Sequence, residues 1–188
     1  MAIIVVGGGG RGAGKTALVC GLMRALPEIK WTAVKITTHE HGKAATPVWE
    51  ETTPGQETDT ARYLAAGARR ALLVTPGGMG PDEDSLGPIV EQILQECPAA
   101  GGVIFESNSL LTHLRPAVCL CAATSPWTEM KASYDLVLEH ADAMVELAAH
   151  DHIIEAEKIT FRLAALERVS PVMLDWVRER LGTGDAGK

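Results

Sequence analysis

Residues 7–16, GGGGRGAGKT, set six glycines ahead of a lysine and a threonine. The stretch follows the apolar run Ile3, Ile4, Val5, Val6 and precedes Ala17, Leu18 and Val19. Glycine loses the most conformational freedom on ordering, so such a run is a poor helix and a poor strand. Gly9 to Thr16 has the spacing G-x-x-x-x-G-K-[ST], after a buried strand and opening a helix, where that motif cradles phosphate. Glycines let backbone N–H groups wrap an anion, and the helix beginning near Lys15 adds its positive end. A plain glycine turn would leave Lys15, Thr16 and the flanking strand and helix unexplained.

The reading therefore assigns Gly9, Gly10, Arg11, Gly12, Ala13, Gly14, Lys15, Thr16 and Ala17 to nucleotide binding, with GTP or ATP as the ligand. Lys15 reaches the terminal phosphates and the Thr16 hydroxyl holds Mg²⁺. Nucleotide binding follows from the motif; hydrolysis does not. A phosphate loop also needs an acid at the end of a neighbouring buried strand to organise Mg²⁺ or water. Glu106, straight after Gly102, Val103, Ile104 and Phe105, is the first candidate, as metal ligand and, with Lys15, as catalytic residue. An exposed glutamate at a strand end is its plainer reading. Asp59 is a second candidate acid, although Thr58, Asp59 and Thr60 could equally cap the helix that follows.

Short apolar runs at 3–6, 31–36, 71–75, 102–105, 117–122 and 143–147 read as strands buried on both faces. Helical patterns lie between them, at 15–26 with Pro27 as a stop, at 58–67, and from about Pro88 with Ile89, Val90, Ile93 and Leu94 on one stripe. Ser170 caps a last helix with Pro171 at its first position, Met173, Leu174, Val177 and Leu181 inward, and Gly182 as its stop. Alternation of this kind predicts a three-layer α/β domain with a mainly parallel sheet flanked by helices. One domain over 1–182 is expected, with 183–188 as a frayed tail and 43–57 as a long loop after the second strand.

With 188 residues and a net charge of −7, the chain does not suit broad nucleic-acid binding. No apolar run approaches the roughly 20 residues that span a bilayer, so no membrane association is expected. The N-terminus shows no signal-peptide pattern, and four cysteines make no disulfide framework; both point to the cytoplasm.

The loop after the second strand carries His39, Glu40 and His41, at the sheet edge where ligands collect in doubly wound folds. The segment could contact a substrate phosphate, offer Glu40 as a Mg²⁺ water ligand, or make half of a zinc or nickel site from the two histidines, the other half coming from a second chain in a homodimer. Solvated loop histidines are the alternative. Cys119 and Cys121, two apart on a strand, read as small core residues, and His150-Asp151-His152 as a surface turn. No N-K-x-D motif names a guanine base; Lys131 and Asp135 in KASYD are only a loose echo. No arginine-rich lid stands out.

Four pieces in order, GGGGRGAGKTALV, AVKITTHEHGK, ETDTARYLAAGARRALLV and VIFES, resemble the P-loop protein B family of molybdopterin-guanine dinucleotide biosynthesis. Asp59, Arg62, Ala66, Gly67 and Ala68 match the family's D-[ST]-x-R…A-G-A helix, and the likeness covers roughly residues 2–110. Where that family usually follows its strand-four acid with glycine, this chain has Ser107-Asn108-Ser109. The resemblance implies a nucleotide-binding protein that assists molybdenum cofactor maturation beside a molybdopterin nucleotidyltransferase, with weak Mg²⁺-dependent hydrolysis. His39, His41, Asp59 and Arg62 are then the residues for a second, phosphorylated ligand, with Lys35 and Lys43 adding positive charge. ESNSLL also resembles the nickel-insertion GTPases, but Cys97-Pro98-Ala99 lacks their metal-binding histidine. A small-molecule kinase and a non-catalytic adaptor of the same fold complete the alternatives.

Overall fold

The structure is a computed structural model that describes residues 1–10, 12–37, 47–76, 86–123, 133–147 and 158–182. The elements run β1 (Ala2–Gly8), α1 (Lys15–Ala25), β2 (Trp31–Ile36), β3 (Val48–Glu51), α2 (Asp59–Ala65), β4 (Arg70–Val74), α3 (Leu86–Glu96) and β5 (Gly102–Glu106). They continue with a 3₁₀ turn at Ser109–Thr112, β6 (Val118–Ala123), α4 (Ser133–His140), β7 (Ala143–Leu147), β8 (Ile159–Leu163) and α5 (Pro171–Leu181). One eight-stranded sheet has the order β3-β4-β2-β5-β1-β6-β7-β8. Every pairing is parallel except β3 with β4.

The apolar runs are continuous because successive side chains enter two different cores. Ile4 and Val6 pack with Leu18, Leu22, Met173 and Val177 on the face carrying α1, α2 and α5. Val5 packs with Val90, Ile93, Tyr134 and Val137 on the face carrying α3 and α4. Cys119 and Cys121 lie together in that second core, buried and free, as small core residues. The α/β fold expected from the sequence is the fold observed.

The helix signals work as local chemistry predicts. The Ser170 hydroxyl accepts from Met173 N at 3.3 Å, Pro171 opens α5, and Gly182 closes it at φ 67°. Two strands do not follow the sequence reading. Residues 48–51, within the expected loop at 43–57, form β3, which hydrogen-bonds antiparallel to β4 at the sheet edge. Residues 159–163 form β8 at the opposite edge, where no strand was expected. No helix among the described residues is long and apolar enough to cross a membrane.

Candidate phosphate and metal site

β1 is central, with β5 on one side and β6 on the other, and the glycine loop leaves its carboxyl end. The glycines divide into two jobs. Gly8 has no room for a side chain, since a Cβ there would stand 2.6 Å from the Ala122 carbonyl oxygen. Gly12 and Gly14 adopt φ of 79° and 77°, a backbone that side-chain-bearing residues rarely take, and Gly14 is the N-cap of α1. The loop therefore turns sharply into the amino end of an eleven-residue helix, whose first N–H groups have no helical partner. Lys15 Nζ folds back to donate to Gly10 O at 2.7 Å.

Thr16 stands in the first turn of α1 and is buried. Its hydroxyl oxygen is 2.7 Å from Glu106 Oε2 and 3.0 Å from Asp59 Oδ1. With one proton, that hydroxyl serves one carboxylate at a time. Glu106 is only 2% exposed and also accepts from the Tyr63 hydroxyl at 2.5 Å. Lys35 Nζ, from β2, donates to Asp59 Oδ2 at 2.8 Å and to Glu106 Oε1. Burial raises the Tyr63 hydroxyl well above its ordinary pKa, and Glu106 adds to the rise. Burial alone would lower Lys35, but the charge of Glu106 and hydrogen bonds to Asp59 and Glu106 outweigh it, so its pKa is raised. Asp59 is lowered: burial pushes it up, and the hydrogen bond and charge of Lys35, with Thr16 and Arg62, more than reverse that.

The structure thus brings Lys15, Thr16, Glu106 and Asp59 to one edge of the sheet. Asp59 is free for this role because Thr58 is the helix cap, accepting from Ala61 N at 3.1 Å. Arg62 is one turn along α2, 3.9 Å from Asp59 and 3.4 Å from Glu167. Arg11, His39, His41 and Lys43 lie outside the described residues, as do Glu40, Lys131, His150, Asp151 and His152. Among the described residues no group of three or more His, Cys, Asp and Glu side chains could hold a metal ion.

Two contributors escaped the sequence reading. Tyr63 is one; its signal was the spacing of Asp59, Arg62 and Tyr63 at i, i+3 and i+4, which puts them on neighbouring helix positions. Asn108 is the other. Its carboxamide accepts from Gly8 N at 3.0 Å and donates to Gly8 O at 2.9 Å, fastening the start of the loop to the segment after β5. Nδ2 also reaches the Ser133 hydroxyl at 3.3 Å, at the start of α4.

A hard divalent cation fits this chemistry, since Thr16, Glu106 and Asp59 offer only oxygen and two formal negative charges. Thr16 and the two carboxylates would hold Mg²⁺, directly or through water, and the ion would supply charge neutralisation for bound phosphates.

No protein-family model matches the chain, and no curated protein matches it either. Among solved structures it is similar to LpxK from Aquifex aeolicus, described as an "apo" form in complex with ATP. The two share 16% identity at a TM-score of 0.57, over 86% of this chain and 53% of LpxK. The chain therefore spans about half the length of that neighbour. What the likeness shows is the fold alone: a mostly parallel α/β sheet flanked by helices.

Proposed function

We propose that the chain binds a Mg²⁺–nucleoside triphosphate at the Gly9–Thr16 loop and uses it to assist molybdenum cofactor maturation, beside a molybdopterin nucleotidyltransferase. One observation carries the nucleotide part. The Thr16 hydroxyl, at the amino end of α1, lies within hydrogen-bond reach of both Glu106 and Asp59. A structural turn needs no such pair of carboxylates. The cofactor part is supported by the resemblance, whose Asp59 and Arg62 element reaches the same edge of the sheet. A molybdopterin ligand is anionic, and Lys35 of β2 and Arg62 of α2 are cations that both lie against Asp59.

Calorimetry with Mg·GTP and Mg·ATP tests the first part. Lys15→Ala should weaken binding by about 10- to 100-fold, the loss of one charge-assisted contact. Equal affinity in both proteins would mean the loop holds no phosphate. The same titration names the base. Molybdopterin added to the nucleotide-loaded protein tests the second part, with binding expected to weaken in Arg62→Ala. If the wild type binds nucleotide and ignores molybdopterin, the cofactor reading falls and the nucleotide reading stands.

Phosphoryl transfer to a small molecule is the second reading, and Asp59 favours it. Its carboxylate is 39% exposed, kept ionised by Lys35, and adjacent to the metal position. Such a group can take the proton of an acceptor hydroxyl. Nucleotide turnover that needs an added hydroxyl-bearing acceptor and fails in Asp59→Asn would favour this reading.

A further inference from the structure

The four carboxylate oxygens around Thr16 are shared in a regular way. Thr16 lies against one oxygen of each acid, Asp59 Oδ1 and Glu106 Oε2. Lys35 takes the other oxygen of each, Asp59 Oδ2 and Glu106 Oε1. We propose that Lys35 is an internal counter-cation: it balances the two carboxylates in the metal-free protein and opposes metal binding until a nucleotide draws it aside. The inference rests on the reading of Thr16, Glu106 and Asp59 as a metal site.

Two carboxylates this close, one of them buried, repel each other unless a cation lies between them. An ammonium meets that need with one charge and directed N–H donors. A divalent ion beside Thr16 would take Asp59 Oδ1 and Glu106 Oε2, and the ammonium held on Oδ2 and Oε1 repels it, since both cations draw on the same two negative charges. Metal alone therefore binds against that repulsion. Metal arriving with a nucleotide brings phosphate oxygens on which the freed ammonium can settle. Lys35 thus makes tight metal binding depend on nucleotide and turns one positive charge toward the anion side of the site when the nucleotide arrives. It is a positioning residue, acting through the metal and not on a reacting atom.

The test is Mn²⁺ titration of the nucleotide-free protein, read by the electron paramagnetic resonance of free Mn²⁺ and by the thermal midpoint. Wild type should bind Mn²⁺ weakly and gain little midpoint. Lys35→Gln keeps hydrogen-bond donors but removes the charge, and should bind Mn²⁺ at least about tenfold tighter, with a melting point that rises as Mn²⁺ is added. Lys35→Arg keeps the charge and should behave as wild type. If Lys35→Gln is unfolded without metal, refolding on Mn²⁺ addition is the expected result. Equal Mn²⁺ affinity in wild type and Lys35→Gln overturns the proposal, and so does a variant that stays unfolded at saturating Mn²⁺. Calorimetry of wild type with Mg·nucleotide separates the two levels: no binding there sinks the metal-site reading itself, whereas binding with unchanged Mn²⁺ affinity sinks only the role of Lys35.

Discussion

Asn108 extends the hydrogen-bond ladder of β1 with its side chain, accepting from Gly8 N at 3.0 Å and donating to Gly8 O at 2.9 Å. A carboxamide can do both at once, as a peptide group does. It does so at the residue where the strand gives way to the glycine loop. Asn108→Ala should lower unfolding free energy by about 1–3 kcal/mol, since it strands two main-chain groups. The looser loop should also bind nucleotide less tightly. Denaturant melts and calorimetry read both effects, and an unchanged pair of values would show the contact to be idle.

Tyr63 is fully buried and its hydroxyl donates to Glu106 Oε2. Tyr63→Phe keeps the ring and removes only the donor. The expected cost is about 1.5–3 kcal/mol in urea unfolding, the range for a hydrogen bond to a charged group. A change below about 0.5 kcal/mol would mean Thr16 and Lys35 already satisfy that carboxylate.

Stability should fall at both ends of the pH scale. Asp59 has a lowered pKa when folded, so its contribution is present above its unfolded value near 4 and is lost as pH drops through the folded one. Lys35 and Tyr63 have raised pKa values, so their contributions are complete below about pH 10 and decline as pH rises beyond that. Thermal midpoints measured across pH should therefore decline in alkali less steeply in Tyr63→Phe than in wild type. Superimposable alkaline limbs would remove Tyr63 from this account.

Burial raises three thiols, Cys20 and Cys121 to about 11 and Cys119 to about 12. The thiolate is the reactive form, so these three should resist a disulfide reagent at pH 8 until the protein is denatured. Cys97, half-buried beside the Thr32 hydroxyl, should react ahead of them. Four thiols reacting together in native buffer would contradict the burial.

Glu146, near the end of β7, is buried; among the described residues its Oε1 has no hydrogen-bond partner, and Oε2 faces Arg162 Nε at 3.6 Å. A buried carboxylate satisfied on one side only costs stability. Glu146→Met, of similar length, should raise unfolding free energy by about 1–2 kcal/mol. A drop in stability would show the ion pair with Arg162 to be net favourable.

The strands β1, β5 and β6 were legible because each carries an unbroken run of apolar side chains serving two cores. The edge strands were not. β3 reads VWEE with Trp49 exposed, and β8 reads ITFRL with Ile159 exposed; an edge needs neither continuity nor strict alternation. The eight-residue α4, SYDLVLEH, buries only Tyr134 and Val137 and offers too short a stripe to recognise. Glu106 was legible as a carboxylate closing an apolar run. Asp59 was ambiguous, because three consecutive polar residues could each have capped α2. Tertiary packing decided it, giving the cap to Thr58 and leaving Asp59 to face Thr16.

The placement of β1 between β5 and β6 sets a timetable for synthesis. β1 leaves the ribosome before either of its partners, Gly102–Glu106 and Val118–Ala123, which follow about a hundred residues later. At roughly 5–20 residues per second that interval lasts about 5–20 s. Throughout it, an apolar strand and the glycine loop lack both of their sheet neighbours. Protease cleavage near β1 on stalled chains should persist until β6 has emerged; protection in shorter chains would show that β1 finds other shelter first.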